Sequence, residues 1–155
     1  MGQDDTKHNL LFISKYPEII HEFTDAMKDR DIEIDTAING IEAAAKIKKK
    51  NYDIVITGLS LEGFNGEQII TYLNKTAPST VCIIYTTTIS SAQLHFFINE
   101  RNVFRVFLRP VDFRGAFWEA LEEAYEYHAV QVKNEEDTGA RRQEQEKQER
   151  EIEIM

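Results

Sequence analysis

Five short apolar runs, each followed by a segment of helical period, constrain this chain more than any other feature of it. The runs are "NLLFI" (9–13), "IEIDT" (32–36), "DIVIT" (53–57), "TVCIIY" (80–85) and "RVFL" (105–108). The first, third and fourth are nearly continuous in apolar residues, the pattern of a strand buried on both faces. Between the runs the period changes. Pro17 suits a first helical turn, and Ile19, Ile20, Phe23, Ala26 and Met27 follow it at helical spacing. Ile41, Ala44, Ala45 and Ile47 mark a second helix, Ile69, Ile70 and Leu73 a third, and residues 90–101 a fourth. Asp112 is placed to cap a fifth, with Phe113, Ala116, Phe117, Ala120, Leu121 and Ala124 on one stripe. Strand and helix in strict alternation predict an α/β fold: a (βα)₅ doubly wound, five-stranded parallel sheet. Its crossovers are right-handed by default, and its functional loops lie at the carboxyl ends of the strands.

The alternation occupies residues 8–130, one domain of ordinary size with 42% hydrophobic residues over the whole chain from which to build a core. The remainder, 131–155, reads as a charged tail or linker, apolar only at Ile152, Ile154 and Met155, and Gly139 is expected to interrupt any continuation of the fifth helix. The alternative is a signalling helix that extends the fifth and pairs with a partner chain. No apolar run is long enough to cross a bilayer and no secretory leader is evident, so a cytoplasmic protein without membrane contact is expected. A net charge of −9 argues against nucleic acid as a partner. The lone Cys82 falls within an apolar run and is expected to be buried and inert, and four scattered histidines give no metal-ligand spacing. Neither cofactor nor metal is expected, and no nucleophile with a base points to an enzyme.

The blocks "LLFISKYP", "TAINGIEAAAKI", "YDIVITGLSLEGFNG", "VCIIYTT" and "FRVFLRPVD", in this order and at these separations, resemble the receiver domain of bacterial two-component response regulators, a flavodoxin-like fold. The resemblance runs from about His8 to Val130. It implies a particular device: two acidic residues after the first strand and an aspartate after the third bind magnesium, and the aspartate accepts a phosphoryl group. A hydroxyl after the fourth strand and a lysine after the fifth then read the charge. Carried onto this sequence, the acidic pair becomes Ser14 and Lys15, the phosphoacceptor Gly58, the hydroxyl Thr86 and the lysine Arg109. Only Thr86 keeps the family's residue type. Magnesium needs hard oxygen ligands, and this set offers one neutral oxygen, a repelling cation and no side chain at Gly58.

The resemblance therefore implies a degenerate variant, a pseudo-receiver that acts through protein contacts. The alternative is an anion or small-ligand sensor in which Lys15 and Arg109 have converted the acidic pocket. A phosphotransfer domain with another acceptor is the weakest reading, because Asp53, at the start of its strand, stands about 16 Å from Gly58 by strand rise. Other readings of these residues stay open. Gly58 could meet a need for positive φ, Thr86 could be a turn hydroxyl, and the two cations could pair with Glu62. For contacts, "AQLHFFINERN" packs Leu94, Phe96, Phe97 and Ile98 so closely that a helix cannot turn all of them inward. Trp118 and Tyr125 stand about 100° or more from the stripe of the fifth helix. Phe96, Trp118 and Tyr125 are thus the expected anchors of a homodimer or partner surface made by helix 4, strand 5 and helix 5. Receivers commonly pair through this face, although Val106 stands where the family often has an aromatic switch.

Overall fold

The computed structural model describes residues 8–154, with side chains described from residue 8 to 136. The elements are β1 (His8–Ile13), α1 (Pro17–Ala26), β2 (Ile32–Ala37), α2 (Gly40–Lys49), β3 (Ile54–Thr57), α3 (Gly66–Thr76), β4 (Val81–Thr86), α4 (Ser91–Glu100), β5 (Val103–Leu108) and α5 (Ala116–Ile154). The strands form one parallel sheet in the order β2-β1-β3-β4-β5. This is the expected (βα)₅ flavodoxin-like fold, with strand ends moved by no more than two residues.

Period-two alternation divides the central strands between two cores. Leu10, Phe12, Ile54, Ile56, Ile83 and Tyr85 pack beneath α1 and α5, where Phe12 stacks on Phe23 at 4.2 Å and Phe113 meets Phe23 edge-on at 5.2 Å. Leu11, Ile13, Val55, Cys82 and Ile84 face the other way, onto Ala43 of α2, Ile69, Ile70 and Leu73 of α3, and Phe97 of α4. Cys82 is buried as expected, and burial pushes its thiol up to about 12. Helix starts are pinned close to the strand ends. Asn39 accepts from the Glu42 N–H, while Asn65 with Gln68 and Ser90 with Gln93 form reciprocal capping boxes.

Two expectations are corrected. Asp112 does not cap α5: its Oδ1 accepts from the Arg114 N–H and its carbonyl from the Gly115 N–H, so it closes a turn and the helix begins at Ala116. Nor does Gly139 end the helix, which runs unbroken to Ile154. A glycine inside a helix costs about 1 kcal/mol, and the sequence around it is rich in strong helix formers, Glu, Gln, Lys and Arg. Residues 131–154 are thus helical. The side chains of Ile152 and Ile154, and all of Met155, lie outside what is described.

The base of α5 is held at the amino ends of the strands by a polar cluster. His128 Nδ1 is 2.8 Å from the Ser79 carbonyl and Nε2 is 3.1 Å from Asp53 Oδ1. A carbonyl and a carboxylate can only accept, so the imidazolium, with two N–H donors, suits both. Asp53 also accepts from the Asn9 N–H at 3.2 Å and donates its own N–H to Asn9 Oδ1 at 2.6 Å. The Asp53 hydrogen bond raises the His128 pKa against the opposing effect of burial. Burial pushes the Asp53 carboxyl up, but the hydrogen bonds from His128 and Asn9 outweigh it and leave it below the ordinary value.

The sign of the pH effect follows by linkage. The His128 contribution is complete below its unfolded pKa of about 6.5 and is lost as pH rises through the higher folded value. The Asp53 contribution is complete above its unfolded pKa of about 3.9 and is lost as pH falls through the lower folded value. In urea unfolding, wild type should therefore exceed His128→Gln by more at pH 6 than at pH 8.5. An equal gap at the two pH values would contradict the imidazolium assignment.

Candidate functional site

Parallel register brings the carboxyl ends of four strands together. Ile13 pairs with Thr57, Thr57 with Ile84, and Thr86 with Leu108. Backbone bonding continues one residue past the strands, from the Gly58 N–H to the Ile13 carbonyl at 3.1 Å and from the Arg109 N–H to the Thr86 carbonyl at 2.8 Å. As a result Ser14, Lys15, Gly58, Thr86 and Arg109 all line one cavity of about 70 Å³, together with Tyr16 and Ser60. The five positions picked out in the sequence do converge.

Gly58 is not there for backbone freedom. Among the described glycines only Gly63 has positive φ, and a Cβ on Gly58 would meet nothing closer than 3.7 Å. The glycines this loop requires are Gly63, for its positive φ, and Gly66, where a Cβ would stand 2.2 Å from the Gly58 carbonyl oxygen and so obstruct the start of α3. Thr86 Oγ1 donates to the Thr88 carbonyl at 3.2 Å, the local turn bond that was one reading of it. Glu62 does not pair with the cations. It is exposed, and its backbone carbonyl accepts from the Gly40 N–H at 2.9 Å.

The cations instead gather around an aromatic ring. Lys15 Nζ lies 5.4 Å and the Arg109 guanidinium 4.7 Å from the centroid of Tyr16, and Lys15 also donates to Ser60 Oγ at 3.4 Å. Arg109 lies 6.0 Å from the Tyr85 ring. Burial pushes the Tyr85 phenol up, and the Arg109 charge works against that. The cavity lining thus holds two basic side chains, several hydroxyls and no carboxylate. Magnesium does not fit this donor set, which repels a divalent ion and supplies no anionic oxygen. Asp53, bonded to His128 and Asn9 at the other end of its strand, is no substitute acceptor.

The expected interface anchors fare differently. Phe97 is buried and Phe96 half-buried, with the Arg101 guanidinium 4.6 Å from the Phe96 ring, while Leu94 and Ile98 remain 40% and 41% exposed. On neighbouring β5, Leu108 is 50% exposed and Val106 is half-buried against the core. Trp118 and Tyr125 do not belong to this face. Trp118 lies under the Arg30 guanidinium at 4.3 Å, in a cleft shared with Asp31 and Ile32 on the β2 side of α5. Tyr125 is buried, its hydroxyl donating to the Asn9 carbonyl at 2.9 Å and its ring stacked on His8 at 4.2 Å. The flank of α5 that meets β5 carries Glu123, paired with Arg105 at 2.8 Å, and Tyr127, stacked on Phe104 at 5.1 Å. Helical spacing gives the angle between two side chains but not which neighbour each flank will meet. The sequence reading also missed a groove of about 280 Å³ between α2 and α3, walled by Phe64 and Tyr72. Its one signal was a phenylalanine set among loop residues in "EGFNG".

The chain belongs to the response regulator receiver domain family, whose sequence model matches residues 11–115. It is therefore a receiver domain of two-component signalling. Among solved structures it is similar to the signal receiver domain of an HD domain-containing protein from Pseudomonas fluorescens Pf-5, at TM-score 0.75 and 19% identity over 80% of this chain and 98% of that one. It is similar also to a CheY-like receiver domain protein from Methanospirillum hungatei JF-1, at TM-score 0.73 and 18% identity over 81% and 99%. The response regulator TrrA from Thermotoga maritima, solved in complex with Mg²⁺-BeF, gives TM-score 0.64 and 22% identity over 76% and 98%. Identities this low establish the fold alone. No curated protein matches the chain. Among the described residues no helix is long and apolar enough to cross a membrane.

The open space at Gly58 makes a direct test. Gly58→Asp should fold with stability changed by no more than about 1 kcal/mol, because the backbone is unstrained and the new side chain has room. Beside Lys15 the new carboxylate should pair with the ammonium rather than collect magnesium. Magnesium binding, followed by calorimetry, should appear only when Ser14→Asp and Lys15→Asp are added. Equal binding by the single and triple variants would contradict the placement of Lys15.

Proposed function

We propose that this receiver domain is not phosphorylated and works by protein contact, as a homodimer or with a signalling partner. The observation that carries the reading is the lining of the β1–β3–β4–β5 cavity, where two cations and no carboxylate stand around Gly58. Without an acceptor or a metal site, the aspartyl-phosphate step has no nucleophile and no charge compensation. The contact surface favoured is that of α4 and β5. Leu94, Ile98 and Leu108 leave apolar area in water there, next to the half-buried Phe96. Exposed apolar groups gathered on one face are the usual core of an interface. With Val106 in place of an aromatic switch, constitutive association suits this face better than triggered association does.

One experiment reads both parts. Intact mass after incubation with acetyl phosphate and magnesium should be unchanged, and the mass in solution by light scattering should be unchanged as well. Ile98→Glu with Leu108→Glu should reduce that solution mass, or abolish capture of a partner, with circular dichroism preserved. A gain of one phosphoryl group on an Asp of the pocket loops would contradict the first part. A wild type already monomeric at high concentration would exclude the homodimer.

A further inference from the structure

We propose that the cavity at the carboxyl ends of β1, β3 and β5 binds a small tetrahedral oxyanion, inorganic phosphate or sulfate, between Lys15 and Arg109. The proposal goes beyond the protein-contact reading and does not depend on it. Three observations converge on it.

The first is charge. Lys15 and Arg109 line the same cavity and lie 5.4 and 4.7 Å from the centroid of one ring, Tyr16, so two like charges share one small site. The chain has 27 Asp and Glu against 18 Lys and Arg, yet among the described residues no carboxylate forms an ion pair with either cation. Cation–π contact at a partly exposed site is a weak interaction. Charge-assisted hydrogen bonds to an oxyanion are stronger and would relieve the repulsion as well.

The second is hydrogen-bond polarity. Ser14, only 7% exposed, accepts at Oγ from the Tyr16 N–H at 3.2 Å, and Ser60 Oγ accepts from Lys15. Each hydroxyl therefore keeps its own proton to donate. Lys15 and Arg109 can only donate. These four donors, two of them charged, suit a group rich in acceptor oxygens and disfavour a cation; among the other lining hydroxyls, that of Thr86 gives its proton to the Thr88 carbonyl.

The third is size. About 70 Å³ is several times the ~10–15 Å³ that admits one water and far below the ~300–1,000 Å³ of a pocket for a drug-sized ligand. A free oxyanion matches this space, and a nucleoside would have to lie outside it.

The test uses the full chain, with melting followed in sodium phosphate and sodium sulfate against sodium chloride at matched ionic strength. Equilibrium dialysis with labelled inorganic phosphate reads occupancy directly. Wild type should bind one phosphate per chain, and phosphate at ten times its Kd should raise the folding equilibrium constant about 11-fold. Lys15→Gln and Arg109→Gln should keep their melting temperatures in chloride and lose both the bound phosphate and the extra stabilisation. If either variant folds poorly, dialysis of the other still decides. No bound phosphate in wild type, or equal binding by wild type and the variants, would overturn the proposal. A stronger effect from a nucleoside monophosphate than from inorganic phosphate would overturn the assignment to a free oxyanion.

Discussion

Burial of β1, β3 and β4 on both faces is the constraint from which the rest follows. Strands that present side chains to two cores can pair in only one register, since a slip of one residue would send each core's side chains into the other. Fixed register aligns the strand ends, and the backbone bonds beyond them set Gly58 against Ile13 and Arg109 against Thr86, at one edge of the sheet. The site is therefore a consequence of the core. No contact among the pocket residues is needed to bring them together.

The same geometry lets the pocket carry a cationic lining without cost to the fold. Lys15, Gly58, Thr86 and Arg109 stand at strand ends and loop starts and belong to neither core, although Tyr85 beside them does. Gly58 shows this most plainly, because it is neither crowded nor in a left-handed conformation. Gly66, only a loop away, is fixed because a Cβ there would collide with the Gly58 carbonyl. A receiver scaffold thus separates the residues that hold it together from the residues that set its chemistry, and here the second set is cationic.

Much of this was legible in the sequence because the signals are local. Apolar runs, their spacing and the five blocks placed every strand within two residues and picked out five of the residues that line the cavity, though not Tyr16 or Ser60. The failures concern what lies beside what. Glu62 was expected near the cations because it is near in sequence, but the loop turns it into solvent. Trp118 and Tyr125 were placed on the β5 side of α5 because angle alone cannot say which neighbour a flank meets. One sits under Arg30, and the other is tied to Asn9. Gly139 was read as a stop because a glycine penalty is visible in a sequence, whereas its compensation is spread over many weak helix-favouring terms.

The central claim is that a cationic, carboxylate-free pocket has replaced the metal and phosphoryl site. It is tested most directly by a two-dimensional amide NMR titration with magnesium and beryllofluoride, the pair present in the TrrA structure. The account predicts that adding magnesium leaves the amide signals of Gly58, Thr86 and Arg109 where beryllofluoride alone leaves them. Saturable shifts centred on those residues and dependent on magnesium would show that the pocket still assembles the phosphorylated state, and would contradict it.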